Sequence, residues 1–216
     1  MSLSFDLLRQ ANRTRLPLFK NKHGDTAHIH SDGSDWDFAT WLMATMGELG
    51  ELAEVRIAYE RGEIETAVYE QAISSELADV ATYLDLLANR ALDESGSDRS
   101  KLNSDDPWIL MELLVAIGLF ANDAKKAMRG DFGPEEYRSK KVKHLIRAQC
   151  ALTLLMRSAS LRPSINQNAH PTGVDLGEAI VAKFNEVSDR VKAPVKIEHW
   201  RSKSSHEEGY TVVVKE

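Results

Sequence analysis

Residues 36–61, WDFATWLMATMGELGELAEVRIAYER, decide the fold. They contain no proline, and Leu42, Met46, Leu49, Ala53 and Ile57 recur at spacings of three and four, the period of one helical face. A second stripe, Trp41, Leu52, Val55 and Tyr59, occupies a neighbouring face, so the segment predicts a helix that is apolar on more than one side and sits inside a bundle. Set into it are three acids, Glu48, Glu51 and Glu54.

Outward from this segment the same period returns. Glu65 to Leu92 predicts a second helix, with Ile73, Leu77, Val80, Leu84 and Leu87 on one stripe. The polar stretch DESGSDRSKLNSDDP, Asp93 to Pro107, reads as a linker whose proline is placed to start a helix. Trp108 to Arg129 and Lys140 to Leu161 predict a further pair, joined by GDFGPEE at Gly130 to Glu136. After a loop at Arg162 to Gly173, Val174 to Val191 predicts a last helix with Asp175 near its start. Residues 4–15 read as a short amphipathic helix, and the tail from Lys192 carries a short strand at Thr211 to Val214. Short connections favour antiparallel neighbours, so the expected fold is an all-α, antiparallel helical bundle in a single domain over 1–216. WLMATMGELGELAE from Trp41 can be laid against WILMELLVAIGLFANDAKK from Trp108, which is what a duplicated hairpin or two unrelated amphipathic hairpins would give.

A formal net charge of -6 argues against a general nucleic-acid or acidic-membrane binder, because both need a basic surface. The basic excess between Lys125 and Arg147 reads as a solvated helix face. The lone Cys150 excludes an internal disulfide and reads as a small core residue. No uninterrupted apolar stretch approaches the ~18 residues of a membrane span, and the N-terminus lacks a secretory layout, so the expected location is cytoplasmic.

The chemistry lies in two strings, GELGELAE at Gly47 to Glu54 and ELAD at Glu76 to Asp79. Each sets two acids at i and i+3, neighbours on one helical face. Alone, such a pair is ordinary on a solvated helix. Here Glu48 lies angularly among Trp41, Leu52 and Val55, Glu51 is flanked by Ala44, Gly47 and Ala58, and Glu76 and Asp79 continue into Tyr83 and Leu86, so neither pair reads as freely solvated. On consecutive antiparallel helices the pairs can face each other. Four crowded carboxylates repel, and a hard divalent cation such as Mg²⁺ or Mn²⁺ resolves the conflict.

GELGELAE followed by ELADVATYLDLLA resembles the MazG family and its dCTP pyrophosphatase and dimeric dUTPase relatives, over roughly Leu42 to Ala91 and Val174 to Arg190, with a looser match at Gln10 to Arg15. The resemblance implies an all-α catalytic core over 36–94 plus 173–191, an inserted hairpin over 95–172 and a tail over 192–216. It implies Mg²⁺-dependent hydrolysis of a nucleoside triphosphate to the monophosphate and pyrophosphate, with Glu48, Glu51, Glu76 and Asp79 as catalytic metal ligands. It assigns nucleotide contacts to Tyr83, Lys183 and Arg190, and places an aromatic residue near Trp36 or Trp41 against the base. Many relatives set an asparagine between the lysine and the arginine, whereas this chain offers Asn185 or Ser188 off that register. A homodimer is expected, or a monomer in which a decayed second hairpin replaces the partner. In that hairpin Leu119 and Asn122, then Ile146 and Gln149, would stand where the acids do. The alternatives are a non-catalytic helical binder of nucleotide or protein, and phosphoribosyl-ATP hydrolysis. His23, His28 and His30, with Asp25, Asp32 and Asp35, read as a polar loop, with a substrate lid or a zinc site as further readings.

Overall fold

The computed structural model describes residues 3–20, 26, 28, 36–91, 109–157, 175–201 and 208–215. Within them six helices, α1 (Phe5–Arg15), α2 (Phe38–Glu60), α3 (Thr66–Ala91), α4 (Ile109–Met128), α5 (Pro134–Arg157) and α6 (Leu176–Arg190), precede two strands, β1 (Val195–Arg201) and β2 (Glu208–Val214). The linker 93–107, the loop 162–173, the end of the fifth helix at Leu161, and His23, His30, Asp25, Asp32 and Asp35 lie outside the described residues.

The helix α3 forms the centre of the bundle, touching α1, α2, α5 and α6. Its stripe Leu77, Val80, Leu84 and Leu87 is fully buried and Ile73 nearly so, each large side chain contributing about 1.5–3 kcal/mol by leaving water. Local chemistry fixes the helix ends. Asp37 caps α2 by accepting from the Thr40 N–H at 2.8 Å, and Asp175 caps α6 through the Glu178 N–H at 3.1 Å, each satisfying an otherwise orphaned donor. Gly62, at φ 72°, ends α2 in the left-handed region, with its N–H on the Tyr59 carbonyl and the Glu63 N–H on that of Ala58. The same motif ends α4: Gly130, at φ 81°, bonds Ala127 while Asp131 bonds Lys126. Pro134, inside the expected turn, is instead the first residue of α5, where its fixed φ suits a helix start.

Three further expectations are corrected. The stripe over Leu42, Met46, Leu49, Ala53 and Ile57 does not point uniformly inward: Leu42 and Leu49 are buried, but Met46 and Ile57 are exposed. The helix turns Trp41, Leu42, Thr45, Leu49 and Leu52 inward and presents Met43, Gly47 and Gly50 to solvent. Nor is the chain wholly helical. Beyond the strand read at its end, the tail forms an antiparallel hairpin in which Val195 pairs with Val214 and Arg201 with Glu208. Val195 and Ile197 are buried, and Asn185 pins β1 to α6 by donating to the Ile197 carbonyl and accepting from its N–H, at 2.8 and 2.9 Å. Cys150 is half-buried rather than in the core. Among the described residues no helix is long and apolar enough to cross a membrane.

Candidate functional site

A cavity of about 300 Å³ is lined by residues of α1, α2, α3 and α6, at the lower end of the range of small-molecule sites. Its acidic wall is Glu48 and Glu51 from α2 with Glu76 and Asp79 from α3. Carboxylate oxygens of Glu48, Glu76 and Asp79 all lie within 4.8 Å of one another. Glu51 also lines the cavity but falls outside that group and is exposed, because the small residues flanking it leave it uncovered. The expectation that it would be shielded fails, while Glu48 is half-buried as expected.

Crowding and burial show in the protonation equilibria. Burial, then the charges of Asp79, Glu51 and Glu76, push the Glu48 carboxyl up to about 7. Glu76 is raised by burial and by Asp79 and Glu51. Asp79 is raised by burial despite Lys183, whose ammonium stands 2.9 Å from Asp79 Oδ2 and donates to Ser75 Oγ at 2.9 Å. A carboxylate set that repels itself, contains only hard oxygen donors, and leaves Glu76 Oε2 buried with no hydrogen bond among the described residues fits a hard divalent cation. Lys183 already brings one positive charge to that set, at Asp79.

Cations and aromatic groups line the same cavity. Arg190 approaches from the exposed end of α6, and Tyr83, whose hydroxyl is raised by burial and by Glu48 and Asp79, lies one turn beyond Asp79. Trp41 does not line the cavity. It is buried, stacked on His28 with ring centroids 5.0 Å apart and tilted 6.2 Å from Tyr83, so it backs the rings that do. His28 is held between Phe19 and Trp36 at 4.9 and 4.8 Å, with its carbonyl accepting from the Trp36 N–H. Burial, aided by the Arg15 charge, lowers its imidazole to about 4, so the ring is neutral at neutral pH.

Sequence reading did not assign α1 a part in this cavity. Its buried face is Leu8, Ala11, Asn12 and Arg15, spaced three and four apart. Two polar residues on the core stripe of an otherwise amphipathic helix are the signal that was available. Asp85 of α3 fastens this helix: wholly buried, it accepts from Asn12 Nδ2 at 3.0 Å, Arg9 Nε at 3.2 Å and Asn89 Nδ2 at 3.2 Å. Asn185 and Ser188, the candidates for an asparagine contact on α6, are both engaged elsewhere, Asn185 with β1 and the buried Ser188 with Arg15 at 3.4 Å.

No family model, no curated protein and no solved structure matches this chain.

Proposed function

We propose that this protein is a nucleoside triphosphate pyrophosphohydrolase of MazG type, which adds water across a phosphoanhydride to release a nucleoside monophosphate and pyrophosphate. The observation that carries the reading is the meeting, in one cavity, of a self-repelling carboxylate group with the basic residues Lys183, Arg190 and Arg15. An acidic wall alone repels a triphosphate. With Mg²⁺ or Mn²⁺ on Glu48, Glu76 and Asp79, and Glu51 at the rim, the cavity acquires the charge that a polyphosphate requires.

The bound cation supplies charge neutralisation and a water of lowered pKa. The chain's own side chains do the rest. Lys183, relieved of Asp79, has its ammonium free for a phosphate oxygen, and Arg190 adds a second positive group at the mouth. Tyr83 offers a hydroxyl beside the acids, while neutral His28, backed by Trp41, offers a flat face to a base. Such a reaction relies on positioning and charge stabilisation and needs no nucleophilic side chain. In this reading α2, α3 and α6 are the catalytic core, and α4 with α5 is an inserted hairpin, either a degenerate repeat of the first or an unrelated one. The expected homodimer has an apolar face available on α2, where Met43, Met46 and Ile57 are exposed, and light scattering distinguishes it from a pseudo-dimeric monomer.

A pyrophosphate-release assay over the canonical ribo- and deoxyribonucleoside triphosphates, with and without Mg²⁺ or Mn²⁺, tests the proposal. Metal-dependent release from one or a few nucleotides is expected. Silence from folded protein across the whole panel would overturn it.

A further inference from the structure

Building on the reading of this cavity as a polyphosphate site, we infer that Arg15, delivered by α1, is the inner anchor for a phosphoryl group of the ligand. Its guanidinium is nearly the most sheltered charge of the cavity, with the residue only 5% exposed. Its central carbon lies over the Phe184 ring, 3.7 Å from the centroid. One nitrogen, Nη1, donates to the Phe184 carbonyl at 2.9 Å and to Ser188 Oγ at 3.4 Å. The remaining nitrogens, Nε and Nη2, make no hydrogen bond to any described residue, and the side chain lines the cavity.

The contrast with the other sheltered cations is what points to a ligand. Lys183 is paired with Asp79 and Arg9 with Asp85, whereas Arg15 has no ion pair among the described residues. A buried cation without an anion is costly, and this one is held by a ring, a carbonyl and a hydroxyl that fix its plane without neutralising it. Two adjacent N–H groups of a planar fork suit two oxygens of one phosphoryl group. The fastening of α1 by Asp85 serves this placement, since Asn12 and Arg15 share one helical stripe and Asn12 is bound to Asp85. Arg15 is therefore a binding residue set deeper than Lys183 and Arg190, and it holds an anion whether or not the anhydride is cut.

Inorganic pyrophosphate with Mg²⁺ is the probe, titrated calorimetrically into the wild-type protein, Arg15→Lys, Arg15→Gln and Arg56→Gln. Arg56 is bonded to Glu60 and Tyr69 away from the cavity and serves as the control. The expected loss of affinity is about ten-fold or more for Arg15→Gln, several-fold for Arg15→Lys, which keeps the charge and loses the fork, and none for Arg56→Gln. Wild-type protein gives a readout independent of how the variants fold: Mg²⁺-pyrophosphate should shield Arg15 from a dicarbonyl reagent, scored by peptide mass. Unshielded Arg15 at saturating pyrophosphate, affinity within two-fold of wild type in a folded Arg15→Gln, or failure of the wild type to bind pyrophosphate each overturns the inference. Pyrophosphate release by the wild type combined with an unshielded Arg15 removes the inference and leaves the hydrolase reading standing. Shielding without any release does the reverse.

Discussion

The hairpins α2–α3 and α4–α5 are built on one plan and carry opposite contents. Each closes with a glycine in the left-handed region and the same pair of backbone bonds. The first sets Glu48, Glu51, Glu76 and Asp79 along its cavity wall. The second is tied by packing and by a side-chain pair, with His144 Nε2 3.0 Å from Asp123 Oδ2 and Phe120 buried beneath, against Phe38 of α2. At the positions where the acids would recur, Leu119 is exposed and Ile146 half-buried, so the second hairpin offers no carboxylate there. A helical hairpin is thus a frame that tolerates either content. Where it holds repelling carboxylates it sacrifices stability, and where it does not it is free to be packing.

The sharpest way to break this contrast is to neutralise the first hairpin. Asp79→Asn is expected to lower pyrophosphate release by about 10³-fold or more, the scale on which a group acting with its neighbours as a unit is lost, while the helical circular dichroism signal stays intact. Mg²⁺ should no longer raise the melting temperature of that variant. Glu51→Gln, exposed and outside the tight group, should cost less. Near-normal turnover in Asp79→Asn would mean that the acids are a strained surface and nothing more.

The complementary prediction concerns packing. Phe120→Ala should destabilise the protein by about 3–5 kcal/mol, as for other large buried aromatic truncations, measured by denaturant unfolding. At temperatures where the variant is folded, its KM should stay near wild type, because Phe120 does not line the cavity. A selective loss of catalysis at unchanged stability would assign the second hairpin a direct part in the site.

How much of this was legible in the sequence follows the same division. The α3 stripe was read residue by residue because a fully buried helix carries a strict period, and the acid pairs because i and i+3 share a face whatever surrounds them. The outward turn of Met46 and Ile57 was not, since a helix with two apolar faces does not say which one the bundle covers. The strand β1, VKIEHWR, alternates only over Val195 and Ile197 before turning polar, too short a signal beside the tail's charge. Arg15 escaped for a different reason: its surroundings come from α6, far along the chain, and only packing brings Phe184 beneath it.

A pH titration probes the cost of burying charge in the first hairpin away from the acid cluster. Asp85 is raised by burial to about 6 from an ordinary 3.8, against the Asn12 hydrogen bond, Arg9 and the Arg13 charge from α1, while Asn89 donates from its own helix. An acid whose folded value is raised binds its proton more tightly folded than unfolded. Its contribution to stability is therefore greatest below pH 4, declines as pH rises through about 6, and is flat above. The decline should be on the order of 1–3 kcal/mol, and Asp85→Asn should flatten that part of the profile. An unchanged slope would place the titrating burden elsewhere.

The smallest expected effect compares the two hairpins most directly. At Gly62 and Gly130 an added Cβ would meet nothing within 4 Å, so the only penalty of Gly62→Ala or Gly130→Ala is the left-handed backbone. Each substitution should cost about 1 kcal/mol, the scale of the left-handed penalty for an L-residue, and the two should agree within a few tenths if both turns unfold with one cooperative unit. Denaturant melts of the two variants decide the matter. A much smaller loss for Gly130→Ala would mean that α4–α5 opens below the global transition. The hairpin without acids would then be the looser of the two, a peripheral addition to a core formed by α2, α3 and α6.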